Sequence, residues 1–301
     1  MPQVPPSTDA TRRLPARRPG VAALLRLVAT VLAGGLLSAT MVRFSPGFGV
    51  DEKQLDPSLS PASLEALRHS HDGELNPLRF YLAYMKRTLT GDLGVSQSLS
   101  RPIRELLADR APATFELMAS GVAGAWLLAV IFTLPALTYR LPGLAALGAV
   151  FNGASASLPA AGMAILLFRL GGPAKCAIAL VLFPRLYQYL RNLLRQSYAM
   201  PHVLLARAKG LGCHRILLRH VLPPARAQLI ALAAVSINMA FGAAVAVEAI
   251  CDLPGLGQLA WKAALARDLP VLVVLTMAVT LMTQISSMVA DLCSPALRSR
   301  S

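Results

Sequence analysis

The sequence predicts an all-α integral membrane protein of about six transmembrane helices, with both termini on the cytoplasmic side. Three observations predict it. The 301 residues are 55% hydrophobic and only 15% charged, against about 25% charged residues in soluble domains. Apolar runs of the roughly 20 residues that a bilayer core of ~30 Å requires recur along the chain. The formal charge of +14 lies between those runs and not on a compact basic domain. It therefore reports membrane topology and argues against nucleic acid as a partner.

The elements follow in chain order. Residues 1–20, MPQVPPSTDATRRLPARRPG, are rich in Pro and Arg and predict a disordered basic cytoplasmic tail. Residues 21–298 predict the transmembrane domain. Its first span is 21–42, interrupted by Arg26, which can snorkel to the interface. A signal peptide is the alternative there, but no small-residue cleavage site follows. The second span, 113–138, carries only Glu116, and the third, 144–168, carries no charge. Residues 227–250 contain Glu248 alone, and 271–290 contain no charge. Pro135, Pro159 and Pro184 predict kinks, and Gly121-x-x-Gly124 predicts close helix packing.

Charge counting supplies the remaining span. Residues 174–190 contain Lys175 and Arg185, so hydropathy alone misses them. From Arg185 to Arg226 there are eight basic residues and no acid, which places that region in the cytoplasm. The long segment 43–110 balances nine basic against nine acidic residues, as an exported loop does. With the N-terminus and the basic region both inside, an even number of crossings lies between them. The helix 174–190 must be the fourth, and two more spans return the C-terminus to the cytoplasm.

Several chemistries are missing from the sequence. There is no G-x-x-x-x-G-K-[ST] loop to cradle a nucleotide, no H-E-x-x-H and no G-x-S-x-G. The chain is expected not to be an enzyme and to hold neither cofactor nor metal. Cys176, Cys213, Cys251 and Cys293 are isolated, and His69 and His71 read as exposed loop residues. Polar residues deep in the spans are Asn152, Asn238 and Gln284. They read either as lining a translocation path or as interhelical hydrogen bonds.

The basic insert VLLARAKGLGCHRILLRHVLPP is the most distinctive stretch. Gly210 is followed after nine residues by His220-Val221-Leu222-Pro223. This resembles the cytoplasmic EAA loop of ABC importer permeases, whose pattern is Glu-Ala-Ala, three residues, Gly, nine residues, Ile-x-Leu-Pro. Leu204-Leu205-Ala206 stand where Glu-Ala-Ala would be. The ARAKGL wording is similar to the dipeptide, oligopeptide and nickel-type subgroup. Two further passages carry the same resemblance: GDLG-x-S, R-P-I and R-x-P-A-T ahead of the second span, and LPGLG between the last two spans.

The resemblance implies a permease subunit in a bacterial inner membrane. It implies a second homologous permease, two ABC ATPase subunits that hold ATP and Mg²⁺, and a periplasmic solute-binding protein. It implies peptides or similar small solutes as cargo. Residues 191–224 would be the coupling loop, with Ala206, Arg207, Ala208, Lys209, Gly210, His220, Leu222 and Pro223 facing the ATPase. Glu248, Leu253, Pro254, Gly255 and Gly257, with the 43–110 loop, would form the periplasmic gate and meet the binding protein. A second helix is expected to leave Gly210 and end at Pro223-Pro224, where the next span begins. The connection 169–175 is shorter than the relatives' segment. That leaves a degenerate permease serving as scaffold or sensor, and a nickel-chelate importer, as alternatives.

Overall fold

Why each predicted span ends where it does is set by prolines, small residues and a few buried acids. The computed structural model describes residues 27–37, 40 and 92–298, the side chains of 290–298 excepted. The tail 1–20 and residues 43–91, including His69 and His71, lie outside the described residues, as does the side chain of Cys293. Among the described residues, helices account for nearly all regular structure, beside one isolated bridge between Val95 and Pro102.

The helices are α1 (Leu27–Leu37), α2 (Ile103–Thr138), α3 (Pro142–Ala156), α4 (Ala160–Arg169) and α5 (Ala174–Tyr198). Then come α6 (Pro201–Ala208), α7 (Cys213–Ile216), a π-helical turn Leu217–Val221 and α8 (Leu222–Ile250). The chain closes with α9 (Leu256–Leu265) and α10 (Leu269–Arg298). By length and composition, α2, the continuous course Cys213–Ile250 and Leu269–Val289 can each cross a membrane.

One expectation is sharpened and one corrected. The kink expected at Pro159 within 144–168 is a full break. α3 and α4 meet at a bend of 99°, because Pro159 lacks the N–H that would continue the ladder and pushes Leu158 out of helical geometry. The helix leaving Gly210 does not end at Pro223-Pro224. Both prolines lie inside the continuous course Cys213–Ile250, and the His220 carbonyl, four residues before Pro224, is bonded by His202 Nε2 instead. The wider π turn just before them keeps the helical course unbroken.

The helix 174–190 forms and runs on to Tyr198, so residues 191–198 continue it. It is the centre of the bundle: Ile178, Leu182, Phe183, Leu186 and Tyr187 are all at most 2% exposed. Its longest neighbour is α2, brought close by two small residues. A Cβ on Gly121 would lie 2.5 Å from Ile178 Cγ2, and one on Gly124 3.1 Å from Ala179 Cβ. Inside a bilayer such van der Waals contact replaces the hydrophobic drive that acts in water. Phe132, Phe151, Phe183 and Tyr187 pack ring against ring in series at centroid separations of 5.0–5.6 Å, tying α2 and α3 to α5. Across the bundle the Trp126 indole N–H donates to Ser236 Oγ at 3.2 Å, joining α2 to α8.

Candidate functional site

The two ends of the bundle carry different chemistry. At one end, the carboxylate of Glu248 is 1% exposed and organises the turn that follows α8. Its Oε2 accepts from the backbone N–H of Gly257 at 2.7 Å and of Gln258 at 3.3 Å. The Leu253 N–H donates to the Glu248 carbonyl at 3.0 Å. One acid thus fixes the start of α9 through two backbone N–H groups. Gly255 and Gly257 are needed for space. A Cβ on Gly255 would enter the Glu248 carboxylate, and one on Gly257 would lie 2.5 Å from Val245 Cα. Leu253 is half-buried and Pro254 faces outward.

The R-x-P-A-T passage reaches this same turn. Thr114 Oγ1 accepts from the Leu256 N–H at 2.7 Å, and Arg110 donates to Gln258 Oε1 at 2.8 Å. Gln258 also donates to Asp252. Arg110, Thr114 and Gln258 were not singled out from the sequence, although both motifs were. The spacing within each motif does not reveal that they touch.

A second buried acid was missed altogether. Asp268 is fully buried. Its Oδ1 accepts from the Val271 N–H at 3.3 Å, capping α10, and its Oδ2 binds Ser96 and Ser98. The signal was present: Asp followed by Leu-Pro is a helix start, with the acid at the cap and Pro in the first turn.

At the opposite end lies the basic insert. α6 stops at Gly210, whose φ of +72° is open to glycine at no steric cost. The Gly210 N–H donates to the Arg207 carbonyl at 2.9 Å and the Leu211 N–H to the Ala206 carbonyl at 3.2 Å, closing the helix end. Ala206 is buried; Ala208 and Lys209 are exposed. The Arg207 guanidinium lies over the Tyr198 ring, 5.3 Å from its centroid. His202 Nε2 meets the His220 carbonyl at 3.0 Å. A carbonyl only accepts, so Nε2 carries the proton, and the bond ties α6 to the π turn. Tyr139 hydroxyl meets His214 Nε2 at 2.8 Å, pinning the insert to the end of α2. Leu222 and Pro223 are half-buried beneath it. Three leucines, Leu204, Leu205 and Leu218, are more than half exposed on the insert.

The polar residues chosen from the sequence lie on three different helices. Asn152 on α3 and Asn238 on α8 each hold a buried carbonyl oxygen without a hydrogen-bond partner. Gln284 on α10 donates to Thr30 Oγ1 at 2.8 Å and so joins α10 to α1. A better-defined polar surface was overlooked. Arg185, Gln188, Asn192 and Gln196 recur at i, i+3, i+7 and i+11 and all are exposed along α5. Helical spacing puts them on one face.

Residues 117–300 match the family described as binding-protein-dependent transport system inner membrane component. The chain belongs to that family. It is a multi-pass component of a bacterial inner membrane transport system, as the sequence resemblance implied. It is similar to a protein named a peptide permease of Brucella suis, 27% identical over 295 residues, covering 87% of this chain and 92% of the relative. It is similar also to the oligopeptide transport system permease protein OppB of Escherichia coli K12. There the identity is 27% over 272 residues, covering 81% of this chain and 85% of the relative.

Proposed function

We propose that the chain is one permease subunit of an ATP-driven importer for peptides or similar small solutes. A second, homologous permease subunit completes the path. Two ATPase subunits, which hold ATP and Mg²⁺, bind the Gly210 end. A solute-binding protein meets the Glu248 end. The permease names of the relatives support the cargo class. The run of basic residues from Arg185 to Arg226 supports a cytoplasmic Gly210 end.

The observation that carries this reading is the unbroken helical course Cys213–Ile250, 38 residues long. At 1.5 Å per residue it extends about 57 Å, well beyond a bilayer core of ~30 Å. Part of it must project. The projecting part is the insert that Gly210 folds back on α6, with His202 bonded to the π turn. A push on this hairpin enters α8 without an intervening joint. At its far end α8 carries Glu248, which holds the turn at 252–257. Movement at the ATPase face therefore has a stiff route to the gate. Exposed Leu204, Leu205 and Leu218, on an insert that also carries exposed Lys209 and Arg215, give the ATPase apolar and basic groups to contact.

The exposed stripe of α5 supports the path. Arg185 facing hydrocarbon would be strongly unfavourable. Facing water between two subunits, it and Gln188, Asn192 and Gln196 offer donors and acceptors to a polar solute.

The test is purification of the tagged chain from its native membranes in mild detergent, with mass spectrometry of the co-purifying chains. An ATPase with a nucleotide-binding loop and a second permease are expected. The Gly210→Pro variant is expected to keep the permease and lose the ATPase. Recovery of the chain alone overturns the reading.

A further inference from the structure

We propose that a cleft between α2, α3 and α5, at the Gly210 end, binds the phosphodiester head group of an anionic membrane lipid. The inference requires that the chain lie in a membrane and does not depend on what it imports. The cleft encloses about 200 Å³. Arg191 and Arg195 line one side, one helical turn apart on α5. The Arg191 guanidinium is held 5.9 Å from the centroid of the Tyr187 ring. Phe132 and Leu137 line the apolar side. Thr133, 2% exposed, contributes a hydroxyl that has no hydrogen-bond partner. A helical threonine ordinarily bonds back to a carbonyl of the preceding turn. Here the oxygen is left for something that enters the cleft.

The charge balance defines the ligand. No Asp or Glu occurs between Glu116 and Glu248, so neither arginine has an acidic neighbour on its own or adjoining helices α3–α5. Two guanidiniums and a hydroxyl are donors suited to phosphate oxygens, which they bind through paired N–H bonds. Basic pockets between transmembrane helices take lipid head groups in this manner. Free phosphate shares the chemistry, but an apolar wall beside the arginines suits the glycerol and first methylenes of a lipid.

The experiment is native mass spectrometry of the delipidated complex titrated with phosphatidylglycerol, with phosphatidylcholine and inorganic phosphate as separate arms. Wild type is expected to retain one phosphatidylglycerol per chain, and the double variant R191Q/R195Q to bind it at least tenfold more weakly. R191K/R195K, which keeps the charge but loses the paired N–H bonds, is expected to bind more weakly than wild type and more tightly than R191Q/R195Q, and T133V to weaken binding several-fold. R219Q/R226Q, with equal charge lost outside the cleft, is expected to match wild type. Thermal unfolding of each variant separates loss of the site from loss of the fold. Equal retention by wild type and a folded R191Q/R195Q overturns the proposal. So does equal weakening by R219Q/R226Q, which marks a diffuse surface charge effect. Displacement by millimolar inorganic phosphate would likewise overturn it, assigning the cleft to free anion.

Discussion

Asp268 accepts a hydrogen bond from the hydroxyl of Ser96 at 2.6 Å, across 172 positions of sequence. The same carboxylate oxygen accepts from the Ser98 hydroxyl at 2.8 Å and its backbone N–H at 3.0 Å. The segment that leads into α2 is thereby fastened to the first turn of α10. Beside it, Ile103, Leu106, Leu259, Val271 and Val273 form a separate apolar cluster. The Glu248 turn adjoins the same cluster through Leu256. Two buried acids thus hold one end of the bundle together.

Asp268→Asn is expected to lower stability by about 2 kcal/mol, the usual loss when a charged acceptor with several donors becomes neutral. Ser96→Ala is expected to cost less, about 1 kcal/mol, because Ser98 still binds. Thermal unfolding in detergent reads both. Since the residues share one network, the double variant should fall short of the sum of the single effects.

Glu248→Ala leaves the N–H groups of Gly257 and Gln258 without their acceptor. Buried unpaired donors cost about 1–3 kcal/mol each. The expected outcome is a destabilised fold and faster proteolysis at 252–257, with α6 and α7 unaffected. Limited proteolysis followed by peptide mapping checks it.

Gly257→Ala brings a methyl group to 2.5 Å from the Val245 backbone, which cannot move aside as a side chain can. A loss of about 1–3 kcal/mol is expected from such overpacking. Gly121→Ala meets the branched end of Ile178 at the same distance. Here the obstacle is a side chain, so Ile178→Ala in the same chain should recover part of the loss. Unfolding midpoints of the two single variants and the double variant measure that coupling.

Much of this was legible in the sequence. The apolar runs at 113–138, 227–250 and 271–290 recur as α2, α8 and α10, each with a longer end. The helix 174–190, found only by balancing charges, is the most buried of the bundle. Its polar residues depress its hydropathy because they occupy one exposed stripe, while Phe183 and Tyr187 occupy the core. Gly210 was legible because a helix end in positive-φ geometry favours glycine so strongly. The bend at Pro159 was expected as a kink and is a full break. The course through Pro223-Pro224 was expected to break and does not. A proline's effect depends on whether the turn before it can widen to accommodate it, and the π turn that does so here has no sequence signature. Asp268 with Ser96, and Arg110 with Gln258, were invisible for another reason. Contacts between distant segments are set by the packing of the whole bundle, and no local spacing encodes them.

The most direct measurement is ATP-driven uptake of a labelled peptide by proteoliposomes holding the assembled importer, with wild-type chain or Gly210→Pro. Proline fixes φ near −65°, against +72° at this position, and removes the N–H that closes α6 on Arg207. With the permease pair intact, the variant is expected to lose at least nine-tenths of uptake, while Gly210→Asn, which tolerates positive φ, keeps a substantial part. Wild-type uptake by a folded Gly210→Pro importer would contradict the claim that this hairpin drives α8.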